Sequence, residues 1–540
     1  MKIWKIGLSL VLTLGLLGAD HSFAVRKGGT FNWIAPYGSK IDTLDPNNSG
    51  DEQNGLVTMN IFRCLYRWNA AENKPQLELA DAVDISPDGL VYTYSLKRNV
   101  KFHNGRQLTA DDIIYTYNRI ANPDNALSGT QNLVFIRGAM DVFEHKAKEV
   151  AGLKKIDDHK LEITLTSAID PAFFLYSFPM SIVPKEEVER MDRPFSSNPV
   201  GCGPFKFVKW VKGSEVVLER FEDYYESGKP YLDKLVFKIM SSSAARDLSY
   251  RAKELDANLL YATQYAAYKK DPELSKNLVE VAEMFTRFVA FNPEWELADG
   301  RKPFSDVRVR QAFNYAINTD LIVKKYAKNK AYPAISFLAP TTPGYDPNGK
   351  RYEYNPEKAK ALMKAAGYEK GFDLEIIGTG DSSYGTGVIE VAIPFLKKIN
   401  ISASALTLEG AAKYKRQGDR NFEAMICSFG SGPDGISALM LFHSTKAKKL
   451  PNVARYKNGE YDRTLDLAAE TRDPEQRIAY VKKANEILQA DAPIWFYNYN
   501  KAVIAHHPWV HGIQKVGIEH MFQDFTEVWV EATSPRANAK

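Results

Sequence analysis

The sequence predicts an α/β protein that is divided into two or three domains. The chain has 540 residues, whereas single hydrophobic cores stop growing at roughly 250–300 residues, so one core is not enough. The first half is rich in short strands with interspersed helices. The second half alternates between helices and near-continuous apolar strands, which is typical of an α/β unit. The fold class therefore follows from chain length and from the order of the predicted elements.

The first 24 residues have the layout of a secretory signal peptide. Lys2 and Lys5 give a positive start, residues 6–18 carry no charge, and Ser22 and Ala24 are small residues at positions −3 and −1 of a cleavage site. A transmembrane anchor is the alternative, but the uncharged run is shorter than the about 20 apolar residues that a spanning helix needs. We therefore predict cleavage after Ala24 and export to the periplasm.

The elements predicted for the first half are mostly strands. Residues 91–96 alternate with period two, as a half-buried strand does. Thr109 and the acidic pair Asp111 and Asp112 begin a helix that runs to about residue 120, because a hydroxyl and negative charges stabilise the free N–H groups at that end. The other predicted elements are strands at 28–34, 100–106, 161–165, 200–208, 216–219 and 235–239 and a helix at 53–68.

The second half contains longer helices between apolar strands. The helices are predicted at 306–318, 355–367, 388–399 and 474–488, and the strands at 372–377, 422–428 and 493–497. The strand at 422–428 leads into the glycine-rich loop 430–435. Because ligands bind preferentially where such strands end, this loop and the one after 372–377 are candidates for a binding site.

The composition argues against a nucleic-acid partner. Lys and Arg number 70 and Asp and Glu number 66, which gives a formal net charge of +4, and no basic stripe stands out along the chain. The three cysteines, Cys64, Cys202 and Cys427, lie far apart among apolar or small neighbours. An oxidising compartment would permit one disulfide. A free Cys, however, behaves as a small hydrophobe, and three unpaired thiols are predicted.

Motifs of catalysis are missing from the sequence, which contains neither G-x-S-x-G nor H-E-x-x-H. A G-x-G-x-x-G pattern at 430–435 follows a strand, but the acidic residue that a dinucleotide site needs about 20 positions further on is absent. A plain strand-to-helix loop is predicted there. His506, His507 and His511 would suit a metal, yet a surface loop is favoured. The sequence thus predicts no enzyme, no cofactor and no metal site.

Five separated segments carry a resemblance to a known family. They are residues 92–112, 198–205, 303–317, 354–368 and 490–495. In this order they resemble motifs of the bacterial extracellular solute-binding proteins, family 5, which serve dipeptide, oligopeptide and nickel importers. One departure is Cys202, which stands where the family motif P-[VI]-G-T-G-P-F has Thr. The resemblance covers most of the chain that follows the signal peptide.

The resemblance implies a two-lobed, three-domain periplasmic binding protein fold with mixed sheets and a ligand cleft between the lobes. Domain I would comprise residues 25–58, 207–285 and 505–540, domain II residues 59–206, and domain III residues 286–504. Two segments would link the lobes, which close over the ligand by a hinge motion. The implied function is capture of di- or oligopeptides and their delivery to an inner-membrane ABC permease, by a protein expected to be a monomer.

The resemblance also implies a position for cargo binding. In peptide-binding relatives, an Asp after the strand that matches 422–428 pairs with the amino terminus of the peptide. Asp434 is the matching residue, because a carboxylate in a closed cleft forms a strong charge-assisted bond to an ammonium. The alternative is an Asp that caps the helix after Gly435. Many relatives have a Trp early in this loop, and this chain has Phe429 instead.

Five further residues are predicted to line the cleft. They are Tyr37, Arg287, Tyr384, Phe429 and Ser431. All except Arg287 are placed at or just beyond the ends of predicted strands. Arg287 would grip a carboxylate of the cargo or form an interlobe ion pair. Other cargoes remain open, namely an opine, a sugar conjugate or a metal chelate, and a secreted hydrolase is the alternative from a different class.

Overall fold

The computed structural model describes most of the chain. The described residues are 25–35, 41–48, 52–380, 385–430, 432, 434–446, 452–471, 473–517 and 523–539. The predicted signal peptide lies outside these ranges, as do three predicted site residues, Tyr37, Ser431 and Tyr384. Within the ranges given, no helix combines the length and the apolar character that crossing a membrane requires.

Strands and helices follow each other along the described chain. The strands are β1 Thr30–Ala35, β2 Tyr66–Asn69, β3 Lys74–Leu77, β4 Ala80–Ile85, β5 Val91–Leu96, β6 Leu153–Asp157, β7 Lys160–Thr164, β8 Phe205–Val211, β9 Glu215–Arg220, β10 Lys234–Ile239, β11 Ala257–Leu259, β12 Leu278–Phe291, β13 Ala331–Pro333, β14 Phe372–Gly378, β15 Ile401–Thr407, β16 Ala424–Gly430, β17 Ile494–His506, β18 Val510–His511 and β19 Trp529–Val530. The α-helices are α1 Glu52–Ile61, α2 Ala110–Ala121, α3 Ala139–Phe143, α4 Ala172–Leu175, α5 Lys185–Val188, α6 Ser243–Arg251, α7 Ala262–Tyr268, α8 Val307–Ala316, α9 Thr319–Lys325, α10 Pro356–Ala365, α11 Gly387–Leu396, α12 Gly410–Gly418, α13 Ile436–Leu439, α14 Gly459–Glu470 and α15 Pro474–Asp491.

Three larger sheets organise the described elements. A four-stranded sheet has the order β1-β10-β9-β8, with β1 parallel to β10 and the other pairs antiparallel. A second sheet, β4-β5-β7-β6, is antiparallel throughout. The largest has the order β11-β17-β12-β16-β14-β15, with β13 on β17, and contains both parallel and antiparallel pairs. The predicted α/β class with mixed sheets is confirmed.

Separate hydrophobic cores divide the molecule into two lobes. In lobe 1, one core surrounds the sheet that contains β1, and a second core surrounds the sheet from β4 to β7. In lobe 2, successive residues of β12 face opposite sides of the largest sheet, so Phe288 packs into the core on one face and Val289 into the core on the other. The core around β1 draws its residues from separated parts of the chain, including Ile61, Val183 and Phe205 of the segment predicted as domain II.

Two paired strands, β12 and β17, run through the junction of the lobes. Residues 278–282 of β12 pair with 501–505 of β17, beside β11 and the core of lobe 1. Residues 286–290 pair with 494–499 within the sheet of lobe 2. The register shifts between these two stretches. These strands are the two links that the resemblance implied, and the shift marks the place where the pairing is interrupted between the lobes.

Two predicted elements of lobe 1 are wrong. The helix predicted at 53–68 ends at Ile61, because the carbonyl of Ile61 accepts a hydrogen bond from the backbone N–H of Gly203 (2.8 Å) instead of continuing the helix. The strand predicted at 100–106 is a turn, in which the N–H of Phe102 donates to the carbonyl of Arg106 (2.8 Å). The other elements predicted across both halves are present, with shifted ends.

The histidine cluster does not form the predicted surface loop. His506 ends β17. His507 is only 9% exposed, and its ring stacks between Tyr250 and Trp509, with ring centroids 4.3 and 4.2 Å away. The aromatic faces hold this imidazole inside lobe 1, which a pattern of neighbouring histidines does not reveal. The cysteine prediction is confirmed, since all three thiols are buried and unpaired.

Candidate functional site

Asp434 lies in the loop between β16 and the short helix α13. Its Oδ1 accepts from the backbone N–H of Ser437 and its Oδ2 from the Ser437 hydroxyl, each at 3.0 Å. The side chain is half-buried. Burial raises the pKa of Asp434, while the bonds from Ser437 and the positive charge of Arg477 oppose that rise. The carboxylate therefore caps α13, as the alternative interpretation expects, and it still has the lone pairs to accept from a cargo.

Arg477 belongs to the first turns of α15, beside the same loop. Gly435 packs so closely on that helix that a Cβ would lie 3.0 Å from Val481 Cγ1 and 2.6 Å from the Pro343 carbonyl oxygen. Val481 is four residues after Arg477, and residues at this spacing share a helix face. Nε of Arg477 is buried and has no hydrogen-bond partner. An arginine with an unused donor thus lies next to the Asp434 loop, which the sequence did not indicate.

Asp170 approaches this pair from lobe 1. It precedes α4, and its Oδ1 accepts from the backbone N–H of Ala172 (3.0 Å). Burial raises the pKa of Asp170, the charge of Asp434 raises it further, and the charge of Arg477 lowers it. Asp170 is thus within electrostatic range of two charged groups of lobe 2. No ion pair of 4.0 Å or less joins Arg477 to either carboxylate in the described chain.

An apolar pocket of about 70 Å³ lies in lobe 1. The rings of Trp68 and Tyr176 form one side, with centroids 5.3 Å apart, and Phe178 and Met59 also line the pocket. The indole N–H of Trp68 is buried without an acceptor. Tyr176 directly follows α4, whereas Asp170 precedes it. A single turn of helix therefore connects Asp170 to the wall of the pocket along the chain.

A network of ion pairs supports the lining of this pocket. Glu78 is paired with Arg63 at 3.0 Å and with Arg67 at 2.8 Å, and Arg63 is also paired with Asp524 at 3.1 Å. Burial raises the pKa of Glu78 although both arginines oppose the rise. Burial also acts to raise the pKa of Asp524, but Arg63, Thr526 and Arg67 outweigh it, so that pKa is lowered. The network joins segments from the two cores of lobe 1.

The two lobes are in direct contact near the apolar pocket. The amide nitrogen of Asn73, at the tip of the β2–β3 hairpin, donates to the carbonyl of Thr341 in lobe 2. The carbonyl of Gly517 accepts from the N–H of Met284 at 2.8 Å. A Cβ on Gly517 would lie 2.9 Å from a side-chain atom of Thr341, so only glycine fits this contact without movement. The cleft is thus bounded on one side by direct contact between the lobes.

Arg287 and Phe429 are the other predicted residues that the structure describes. Arg287 is 7% exposed, pairs with Glu283 at 3.1 Å and donates to the hydroxyl of Ser428. Its guanidinium is therefore engaged beside the register shift of β12. Phe429 is half-buried and packs edge-on against Phe288, with centroids 5.5 Å apart. Asp434, Phe429 and Arg287 all belong to lobe 2, and the structure adds Asp170 and Trp68 from lobe 1.

A larger cavity lies elsewhere in lobe 2. Its volume is about 570 Å³, and its lining includes Tyr315, Lys350, Lys482 and Gln489. It contains none of the described predicted site residues. Lys482 faces away from Arg477 on α15, because five residues turn a helix by about 140° more than one full turn. Neither this cavity nor the smaller pocket of lobe 1 is lined by a predicted site residue, and we choose the smaller pocket for its aromatic lining.

Two lobes with mixed sheets, joined by paired strands, are the architecture of periplasmic solute-binding proteins. The model of the family "Bacterial extracellular solute-binding proteins, family 5 Middle" matches residues 74–449. The chain therefore belongs to the bacterial extracellular solute-binding proteins, family 5.

Similar proteins carry different cargo names. The dipeptide-binding protein of Escherichia coli (strain K12) is 27% identical, over 77% of this chain and 79% of that protein. Heme-binding protein A of Haemophilus influenzae is 28% identical, over 80% of each chain. The structure of the ABC transporter-associated periplasmic binding protein DppA of Helicobacter pylori with the peptide STSA has a TM-score of 0.74 and 27% identity, covering 94% of this chain and 99% of that one. These relatives are binding proteins, and their names alone do not fix a cargo for this chain.

Proposed function

We propose that this protein captures di- or oligopeptides in the periplasm and delivers them to an inner-membrane ABC permease. The observation that carries the proposal is the half-buried carboxylate of Asp434 at the interlobe cleft. A carboxylate held in position by Ser437 offers a charge-assisted hydrogen bond to the ammonium of a peptide amino terminus. The Helicobacter pylori protein, whose structure is a complex with the peptide STSA, supports the same cargo class.

The apolar pocket gives the cargo a second contact. Trp68 and Tyr176 supply rigid ring surface for a side chain, and the unpartnered indole N–H of Trp68 supplies a donor for a carbonyl oxygen. A peptide offers both groups close to its ammonium. Lobe closure would then bury the amino terminus and one side chain together, which favours the closed form only when a cargo is present.

A non-peptide solute is the second candidate. The name of the Haemophilus influenzae relative, a heme-binding protein, favours it, and ring surfaces such as Trp68 would suit a flat ligand as well as a side chain. An opine, a sugar conjugate or a metal chelate would use the same cleft. A secreted hydrolase has no such support among the relatives, which are named as binding proteins.

Native mass spectrometry of freshly isolated protein tests the proposal. We expect a bound mass that fragments as a peptide, and titration calorimetry of the stripped protein should then show one-to-one binding of that peptide. Release of the same intact mass after incubation would exclude turnover. A bound tetrapyrrole, or a failure of dipeptides to pentapeptides of alanine to bind the stripped protein, would contradict a peptide cargo.

A further inference from the structure

The larger cavity of lobe 2 is not used by the proposed function. It lies between α8, α15 and the segment 344–352, which together supply most of its lining. Its volume of about 570 Å³ falls within the roughly 300–1,000 Å³ of pockets that bind small molecules. The cavity is therefore large enough to hold a ligand of its own.

Asn485 is a buried polar side chain of this cavity. It lines the cavity from α15 and is 6% exposed. Its Oδ1 is buried without a hydrogen-bond partner, and its Nδ2 has no partner within the described residues either. Half a turn of the amide about its last torsion exchanges the two atoms, so either of them can face the cavity. Buried amides without partners are rare in proteins, and a ligand that both donates and accepts would supply the missing bonds.

Two tyrosines form a fixed corner of the same cavity. The rings of Tyr315 and Tyr352 meet edge to face, with centroids 4.8 Å apart. Lys358 donates to the hydroxyl of Tyr315, and the hydroxyl of Tyr352 donates to the carbonyl of Gln489, each at 2.8 Å. The rings are thus held in place without a ligand, which lowers the cost of ordering them when one binds. They offer apolar surface directly beside polar groups.

The charged groups of the lining favour a ligand without net charge. Arg351 is paired at 2.8 Å with an aspartate outside the lining. The charged groups that remain are two lysines and two acids, namely Lys350, Lys482, Asp346 and Glu486. Their charges balance, so the cavity has little preference for an anion or a cation. Hydroxyl groups, each of which is both a donor and an acceptor, match a lining of amides, ammonium groups and carboxylates.

We propose that this cavity is a second ligand site, separate from the cargo cleft, and that it binds a small saccharide. A sugar hydroxyl would donate to Oδ1 of Asn485 and give this amide the partner that the protein chain does not provide. The apolar face of the sugar ring would pack on Tyr315 and Tyr352. The inference goes beyond the proposed function and does not depend on the identity of the cargo in the cleft.

Titration calorimetry with maltose, cellobiose and chitobiose as probes tests the site. At least one of the three disaccharides should bind the wild-type protein at millimolar concentrations. Asn485→Leu should weaken that binding by about tenfold or more, because a sugar hydroxyl loses its buried partner. Lys483→Leu introduces the same side chain at an exposed position of α15 outside the lining. This control should bind the sugar as wild type does.

Thermal unfolding without sugar separates ligand binding from a structural role of Asn485. Leucine replaces an unpartnered buried amide by an apolar group of similar size, so Asn485→Leu should raise Tm, whereas loss of a structural hydrogen bond would lower it. A lower Tm would therefore overturn the role of Asn485. Asn485→Ser is the second variant for the titrations if the leucine variant does not fold.

The remaining results also decide the inference. If none of the three disaccharides binds, or if the variants at Asn485 bind the sugar as wild type does, the proposed site is wrong. If Trp68→Ala abolishes sugar binding and Asn485→Leu does not, the sugar occupies the cleft instead. That result would overturn the second site and support the non-peptide alternative for the cargo.

Discussion

The two walls of the cleft offer different chemistry to a cargo. Lobe 2 contributes the charged pair Asp434 and Arg477, which lie on a short loop and at the start of α15. Lobe 1 contributes the rings of Trp68 and Tyr176 and a single carboxylate, Asp170. Under the proposed function, charge and shape would therefore be recognised mainly by different lobes. A cargo that contacts only one wall leaves the groups of the other wall without a ligand. Tight binding therefore needs contacts with both walls.

The walls also differ in how they are supported. Buried ion pairs around Glu78 hold the apolar wall, while one backbone and one side-chain hydrogen bond from Ser437 hold the carboxylate of Asp434. A buried charge is costly to leave unpaired, whereas a half-exposed carboxylate regains water when it loses a partner. Substitutions in the ion-pair network of lobe 1 should therefore lower the free energy of unfolding. Substitutions in the charged wall of lobe 2 should instead lower the affinity for cargo.

The largest effect is expected from Arg63→Ala. The substitution leaves the buried Glu78 with Arg67 alone and removes Arg63 from the half-buried Asp524, and breaking a buried pair costs about 3–5 kcal/mol. Urea denaturation of the cargo-free protein measures the change in the free energy of unfolding. Arg98→Ala removes an exposed arginine from the same lobe and should change it by less than about 0.5 kcal/mol. A similar small change for both variants would refute the supporting role of the network.

Asp434→Ala should weaken binding of a peptide by about 1.5–3 kcal/mol, the scale of a hydrogen bond to a charged group. Titration calorimetry with tri-alanine gives the value. Asp434→Asn keeps an acceptor for Ser437 and separates loss of the charge from loss of the helix cap, so it should show most of the same deficit. An unchanged affinity in both variants would remove Asp434 from the site.

Trp68→Ala should reduce discrimination between side chains. We expect it to weaken binding of Ala-Phe-Ala by about tenfold or more, because aromatic anchors in pockets contribute about 2 kcal/mol. Ala-Gly-Ala should lose only the hydrogen bond from the indole N–H, about 0.5–1.5 kcal/mol. Trp210→Ala, on β8 away from the pocket lining, is the control. Equal losses for the two peptides would mean that Trp68 acts on the fold and not on the side chain of the cargo.

The smallest effect concerns pH. The pKa values of Asp434 and Asp170 are raised by burial, and only the ionised forms attract an ammonium. Affinity for tri-alanine should be full above these raised pKa values and fall as the pH drops through them. Arg477→Gln removes a charge that lowers both pKa values, so the fall should begin at a higher pH. Lys482→Gln, on another face of α15, is the control and should leave the pH profile of affinity unchanged. Identical pH profiles for Arg477→Gln and wild type would show that Arg477 does not influence the pKa values of Asp434 and Asp170.

Local patterns were enough to predict the class of fold and to propose one side of the candidate site. Asp434 follows a strand and a glycine-rich loop, which are recognisable without knowledge of contacts. The capping of α2 is also local: the carboxylate of Asp112 accepts from the N–H of Thr109 at 2.8 Å. Such features depend on a few neighbouring residues, so the sequence contains the information directly.

The other side of the site depends on contacts that the sequence does not display. Asp170 and Arg477 belong to different lobes and lie far apart in the chain, so no sequence spacing links them. Trp68 belongs to a segment predicted as helix, but the contact of Gly203 with Ile61 ends that helix and places Trp68 in a strand beside Tyr176. Long-range packing thus decides which side chains reach the pocket.

The register shift in β12 also bears on how a cargo leaves. β12 and β17 are hydrogen-bonded to each other on both sides of the shift. Neither strand can therefore slide along the other without breaking the backbone hydrogen bonds of both paired stretches at once. Bending of the two paired strands together does not require the loss of these hydrogen bonds. The lobes should therefore open by rotation about one hinge axis. A membrane partner that binds both lobes would then release the cargo by driving this single rotation.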